Sequence, residues 1–420
     1  MPGPLVRCAR TVFRAGFGIG YDIFFYNILA NTATNYPRVV RSDAFQPQTI
    51  NLFPALAPKQ TVIPPFSPTL TFVSVPTDIQ NPTSHFWSFS IQRQFGQNYL
   101  AEIGYAGNRS YHLLRLTDWN PGILTGEMAN TVIEGGSIPS LQERRVNPAW
   151  GQRIIIEATA LSEYHALFLR VDKKVANRLL FGANYTWSAN FSDNDEPLQI
   201  KDIVLSSPQV PQDFFDYRND WSRSVFDRPH RFVVHYSYEI PWFQSRSGTW
   251  AIAGRVFSNW RISGVTEWQS GQPFTVRTGV DSGGSGVPIG WRPDYNANGI
   301  FEKDPVEGNL RTFKSPITGE GIFLTPLTSG GLPLSNSMPH GGNLGRNTFR
   351  GPAFLNWTFS LAKRIPVSER VGLQLRADWF NLWNHRNFGN PVATMSSPAF
   401  GTNTTNPGGR EMLLSIKISF

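Results

Sequence analysis

The sequence of 420 residues holds a single cysteine, Cys8, so neither a disulfide framework nor a cysteine-ligated metal can form within it. Charge is scarce as well. Asp, Glu, Lys and Arg make up 16% of the residues, below the roughly one quarter usual for soluble domains. The net charge of +8 is scattered, with no long run of Lys or Arg, which argues against nucleic acid as a partner. No apolar run approaches the ~20 residues of a membrane helix. The segment Met1–Arg10 lacks the apolar core of a secretory signal. A product bound for the cell surface is therefore expected to begin upstream of Met1. What the chain has in quantity is aromatic residues, at 13%, too many for disorder. Its 37 Gly and 32 Pro lie among short apolar stretches, which favours many strands joined by turns over a helical bundle.

The ordering signal is alternation with period two. Over 371–380, Val371, Leu373, Leu375, Ala377 and Trp379 share one face, and Gly372, Gln374, Arg376 and Asp378 the other. The same split recurs around Phe13–Tyr21, Trp87–Ile91, Tyr99–Tyr105, Leu167–Val171, Leu179–Trp187, Phe232–Tyr238, Trp260–Trp268, Trp357–Leu361 and Met412–Phe420. These make about ten strands of roughly nine to twelve residues, long enough to cross a bilayer when tilted. Aromatic residues such as Tyr21, Trp87, Tyr99, Trp187, Trp268 and Trp379 sit near strand ends, where membrane barrels carry their girdles. The expected fold class is all-β, a segment of an antiparallel transmembrane β-barrel with long extracellular loops. Leu373, Leu375, Trp379, Leu414, Ile416 and Ile418 are expected to face lipid. Arg14, Glu102, Glu267, Gln374, Arg376 and Asp378 are expected to face the lumen.

Connector lengths support this reading. Counted back from Phe420, they alternate long and short, as extracellular loops and periplasmic turns do. The parity holds if Ile154–Ala160 extends above the membrane instead of crossing it. The medium-length stretch Trp242–Phe257 falls on the periplasmic side.

Catalytic and metal-binding chemistry is weakly supported. His230 and His235 are five apart on one strand, hence on opposite faces. Asp294-Tyr295-Asn296-Ala297-Asn298-Gly299 resembles the start of a calcium loop, but Pro305 stands where the twelfth position needs a Glu. Gly341–Thr348 lacks the Lys of a phosphate loop and reads as a surface loop. Gly16, Gly18 and Gly20 miss the dinucleotide spacing and suit strand positions that leave space. Asp193, Asp195 and Glu196 read as a solvated loop. No catalytic residue, metal ligand or cofactor is assigned, and the chain is read as not an enzyme.

Several stretches resemble the Oar-like β-barrel of TonB-dependent outer-membrane receptors. They are Arg14–Asp22, Ile103–Arg109, Asn184–Ser188, Phe226–Phe232, Gln269–Phe274, Asn343–Asn347, Gly351-Pro352 and, most specifically, Phe380-Asn381-Leu382-Trp383-Asn384-His385-Arg386-Asn387-Phe388-Gly389. Within the last, Phe380, Asn381, Asn384, His385 and Phe388 carry the motif. The resemblance implies a larger barrel of which residues 1–420 are the C-terminal part, with plug, TonB box and signal peptide absent from this sequence. It implies uptake of a large nutrient (a glycan, peptide or chelate) and location in the cell outer membrane. It also implies as partners the membrane lipid, the barrel-assembly machinery that reads a terminal Phe420, and the TonB complex through a missing N-terminal region. Two other readings compete: a structural or adhesive surface protein, and a soluble β-rich carbohydrate-binding protein.

Overall fold

In the computed structural model, the alternating stretches form ten long strands. These are β1 (Thr11–Tyr21), β2 (Thr83–Phe95), β3 (Tyr99–Asp118), β4 (Arg153–Val175), β5 (Leu179–Ser192), β6 (His230–Ile240), β7 (Trp260–Gln269), β8 (Phe354–Pro366), β9 (Gly372–Phe380) and β10 (Glu411–Ser419). The structure describes residues 10–24, 70–133, 136–175, 178–195, 210–240, 257–279, 344–368, 370–403 and 408–420, with isolated pieces within 29–35 and 281–342. Cys8, Glu196, Asn296–Gly299, Pro305 and nearly all of Trp242–Phe257 lie outside these.

Every long strand pairs antiparallel with its sequence neighbour, β1 through β10 in order. Two short pieces join this sheet: Phe72–Ser74, parallel to the start of β4, and Ser222–Arg223 beside the end of β5. Among the described residues β1 and β10 each have one strand neighbour, so the sheet is open, a partial barrel. The fold class read from the sequence is the one observed, all-β, with a short α-helix at Gly126–Ile133.

Register keeps the two faces coherent from strand to strand. Leu373, Leu375 and Trp379 of β9 pair with Ile418, Ile416 and Met412 of β10, making one apolar surface. Leu414, Ile416 and Ile418 expose 67%, 71% and 62% of their area on the edge strand β10, all of whose residues are exposed. Glycines on the opposite face let aromatic rings lie across the sheet: a Cβ at Gly18 or Gly182 would meet the ring of Phe86 or His235.

The hairpin of β3 and β4 runs well beyond the others. Pairing is in phase from Tyr99↔Lys173 to Ser110↔Ser162, and then shifts at a bulge where His112 has φ 57°. The extra residue offsets the alternation, so the apolar positions beyond it are even-numbered: Leu114, Leu116, Ile154 and Ile156. Ile154–Ala160 is thus an extension of a spanning strand and not a separate crossing. These residues nucleate a small core with Val73, Val210, Phe214 and Val287. A second core, Phe274, Val276 and Leu344, gathers under Phe349, Met395 and Phe400. Both lie among the long connectors at one end of the sheet, which together form a cap.

Candidate functional site: the polar face and the loop cap

Many charges on the polar face of the sheet are bonded along and across strands. Arg14 bonds Gln92, Arg170 bonds Asp172 at 2.7 Å, Arg231 bonds Glu267 at 2.8 Å, Arg261 meets Glu239, and Arg376 bonds Asp378 at 2.8 Å. Glu102 stands opposite Arg170 and Gln92 in the register. Arg14, Glu102, Glu267, Gln374, Arg376 and Asp378 therefore share one face. Toward the short turns a recess of about 380 Å³ opens, lined by Glu239, Arg261, Arg364, Gln374 and Lys417 among others. There Gln374 sits between Arg364 and Lys417 in the register, and among the described residues neither cation has a carboxylate partner.

The cap is built differently. Asp193 and Asp195 are not a solvated loop: both carboxylates are buried in ion pairs, Asp193 with Arg115 at 2.5 Å and Asp195 with Arg346 at 2.6 Å. Arg292 pairs with Asp220 at 2.5 Å and donates to the Leu344 carbonyl at 2.7 Å. Arg346 also donates to the Asp220 carbonyl at 2.9 Å. The Arg115 guanidinium lies 4.0 Å from the Tyr217 ring. Asp227 is fully buried between Arg223 and Arg350 and accepts from the Asn190 amide at 2.8 Å. The described part of Gly341–Thr348 is likewise no surface loop. Leu344, Arg346 and Asn347 are buried, and Asn347 takes φ 53° so that its amide donates to both Asp195 and the Arg223 carbonyl. Gly271 packs against the Gly351 carbonyl with no room for a side chain.

Three arginines, Arg277, Arg292 and Arg346, lie close together in the cap with Asp220 among them. Burial, reinforced by Arg292 and Arg346 and opposed by Asp220, pulls Arg277 down to about 9. Arg277 keeps some accessible surface, yet its charged end is closely surrounded by protein. Burial also lowers Arg346, against the pull of Asp195 and Asp220. Desolvation raises Asp281 and Asp118, against the amides that each carboxylate accepts.

An apolar recess of about 230 Å³ opens in the described part of the cap. It is walled by Pro121, Ile123 and Leu124, by Phe214 and Phe215, and by Trp291, residues drawn from three connectors. Its walls suit an apolar group. No described cluster of three or more His, Cys, Asp or Glu could hold a metal ion. His230 bonds Tyr185 at 2.8 Å while His235 lies against Gly182, so the two point to opposite faces.

The stretch from Phe380 to Gly389 is a turn that fixes the top of β9. Asn381 and Asn384 take φ of 52° and 54°. The Asn381 side chain closes onto His385, donating to its carbonyl and accepting from its amide, each at 2.8 Å. Asn387 brackets the backbone of Leu355 in β8, and the Asn384 carbonyl oxygen of the side chain accepts from the Arg410 amide. Trp383 meets Trp357 edge-on at 5.5 Å. Phe388 follows in the same connector, and Phe420 is fully exposed beyond β10.

No curated protein matches the chain. Among solved structures, an outer membrane transporter from Escherichia coli, YddB, aligns with 97% of this chain and 38% of its own at 9% identity and TM-score 0.49. The siderophore receptor PirA from Acinetobacter baumannii aligns with 83% of this chain and 33% of its own at 12% identity and TM-score 0.38. The FrpB iron transporter from Neisseria meningitidis aligns over the same shares, 83% and 33%, at 9% identity and TM-score 0.37. The chain thus spans at most 38% of the length of these three structures. The family model for the outer membrane beta barrel domain matches residues 5–412, nearly the whole chain. With its ten long antiparallel strands and exposed apolar face, this chain belongs to the outer membrane β-barrel domain family and is a protein of the cell outer membrane.

Proposed function

We propose that residues 1–420 are the C-terminal part of an Oar-like, TonB-dependent receptor barrel that takes up a large nutrient such as a glycan, peptide or chelate. The observation that carries this reading is the pairing of a two-faced, membrane-length sheet with an ordered cap of long connectors. In this reading Leu373, Leu375, Trp379, Leu414, Ile416 and Ile418 face lipid. Arg14, Glu102, Glu267, Gln374, Arg376 and Asp378 line the lumen. The cap presents the substrate-facing surface, and its apolar recess takes an apolar part of the substrate. The chain's role is binding and passage, without bond-making chemistry. Energy from the TonB complex would reach it through a region N-terminal to this sequence.

The test uses the full-length gene product in its own outer membrane. Substrate-dependent uptake that is lost on removing TonB is expected. Normal surface assembly with no TonB-requiring uptake of any nutrient, together with loss of adhesion when the cap is deleted, would instead identify a structural or adhesive protein. The proposed assembly signal has its own test: deleting Phe420 should lower the yield of folded barrel in the outer membrane, and an unchanged yield removes that role.

A further inference from the structure

Where the polar face of the sheet meets the short turns, small residues leave room for a solute. Ala362 of β8, Gly372 of β9 and Ser419 of β10 line the recess of about 380 Å³. Four charged side chains border it: Glu239, Arg261, Arg364 and Lys417. Glu239 and Arg261 stand opposite each other and form an ion pair. In the same row of the sheet, Arg376 is taken by Asp378 at 2.8 Å. Arg364 and Lys417 differ. Among the described residues, neither has a carboxylate within ion-pair distance. They flank Gln374, Arg364 on β8 and Lys417 on β10. Neighbouring strands lie about 4.8 Å apart, so the two backbones are roughly 10 Å apart and all three side chains rise from one face. The row nearer the turn, Pro366, Gly372 and Ser419, adds no charge.

We infer that Arg364, Gln374 and Lys417 form a binding site for an oxyanion group, carboxylate or phosphate, carried by a water-soluble solute. The inference rests on the reading that the polar face lines the lumen, and it gives the nutrient that passes there an acidic group. The three donors are complementary. The Arg364 guanidinium offers a planar fork that meets two oxygens at once. The Lys417 ammonium is a compact charge on a flexible stem, able to close from the other side. Between them the Gln374 amide has two hydrogens to donate and brings no charge of its own. A recess whose surplus charge is positive concentrates anions and repels cations. A neutral sugar would leave both charges unanswered. Chloride could meet one cation but lacks the oxygens to engage the fork, the amide and the ammonium together.

The test uses the full-length gene product in its own outer membrane, with Cys8→Ser and a reporter cysteine at Ala362→Cys. Ala362 lines the recess and is none of the three donors. The readout is the rate at which a small neutral maleimide labels the reporter in membrane fragments open on both sides. Citrate or inorganic phosphate should slow labelling, and sodium chloride at equal ionic strength should not. Whichever anion protects at the lower concentration tells a carboxylate site from a phosphate site. Arg364→Gln together with Lys417→Gln should raise the concentration needed by roughly tenfold, since two exposed charge contacts are worth a few-fold each. Gln374→Glu sets a carboxylate between the two cations and should do the same, and it decides the matter if the double variant fails to assemble. Lys174→Gln, at the same end of the same face but on β4, should change nothing. Absence of protection, equal protection by chloride, or protection unaltered in both variants overturns the inference. Glu369, between β8 and β9 in sequence, lies outside the described residues. Protection that appears only after Glu369→Gln would mean that its carboxylate already fills the site, and overturns the inference as well. If aqueous maleimide labels Leu361→Cys and not Ala362→Cys, the faces are reversed and the lumen reading falls too. A reactive reporter that no anion protects overturns this inference alone.

Discussion

On the polar face of the sheet, Arg231 meets Glu267 at 2.8 Å with 53% of the arginine side chain exposed; in the cap, Arg292 meets Asp220 at 2.5 Å with 5% exposed. The chemistry of the two pairs is the same and the consequence of breaking them is not. An exposed pair forms in a high dielectric, where its net worth is roughly 0–1 kcal/mol. A buried pair has already lost its water, so removing one partner strands the other charge at a cost of about 3–5 kcal/mol. The sheet holds its shape through backbone pairing and tolerates exchange of its charges. The cap holds its shape through its charges and does not.

The largest effect should therefore follow Arg346→Met. It leaves Asp195 uncompensated and removes the donor to the Asp220 carbonyl, tying together connectors more than a hundred residues apart. The cap should lose about 3–5 kcal/mol, read as faster amide exchange and proteolysis at 193–195, 210–221 and 344–350 while the strands stay protected. Equal loss of protection in β8 and β9 would show that cap and sheet unfold as one unit, and the contrast between them would fail.

Next in size is a pair of substitutions on β9. Ala377→Arg puts a charge on the apolar face near the middle of the strand and should cost on the order of 2–4 kcal/mol. Gln374→Arg points to the other face, where it meets Arg364 and Lys417, and like charges directly opposite cost roughly 0.2–1 kcal/mol. Unfolding in denaturant, monitored in a bilayer, should separate the two. If they cost the same, the assignment of the faces is wrong.

A smaller effect concerns acid. Burial raises the Asp118 carboxyl, outweighing the amides of Asn120 and Arg153 and the charge of Arg145. A carboxyl raised on folding adds stability that is fully present below its ordinary value and is lost as pH climbs through the raised one. Protection of the hairpin beyond the His112 bulge should therefore fall as pH rises from about 4 toward neutrality. Asp118→Asn keeps the acceptor and removes the charge, so it should flatten this slope. Asp281 leans the same way and keeps a residue of it. An Asn variant with the parent's slope would exclude Asp118 as the source.

The same contrast explains what was legible in the sequence. Ten strands could be read because Leu373, Leu375 and Trp379 alternate with Gln374, Arg376 and Asp378, and alternation depends on nothing outside the strand. The direction of each side chain then follows from parity, which is why the six polar-face residues fall together. The cap gave no such signal. Asp195 and Arg346 lie 151 positions apart, and only folding brings them into contact. A charged residue in a loop is most often exposed, so the ordinary reading of Asp193 and Asp195 failed for lack of any local mark. In the upper part of the β3–β4 hairpin the extension Ile154–Ala160 is legible, but its partner around Leu114 and Leu116 is not, for a different reason. The bulge at His112 resets the alternation, and Leu114 and Leu116 fall out of step with Ile103 and Tyr105. The turn from Asn381 to Asn387 is legible as a motif, and its hydrogen bonds give that motif a structural reason.

The finest test of the comparison is a gain instead of a loss. Gln374 stands between Arg364 and Lys417 on the polar face, and all three line the same recess. Gln374→Glu supplies a carboxylate to two cations that have none. If that face behaves as exposed pairs do, stabilisation should be a few tenths of a kcal/mol to roughly 1 kcal/mol, and moderate salt should erase it. The measurement is the denaturation midpoint of the two chains in the same bilayer at low and at high salt. A gain that survives high salt would mean that the recess is screened from solvent as the cap is, and that the two regions differ less than their exposures suggest. No gain at low salt would mean that the two cations already share a counter-anion, and the recess would then be a site to search for one.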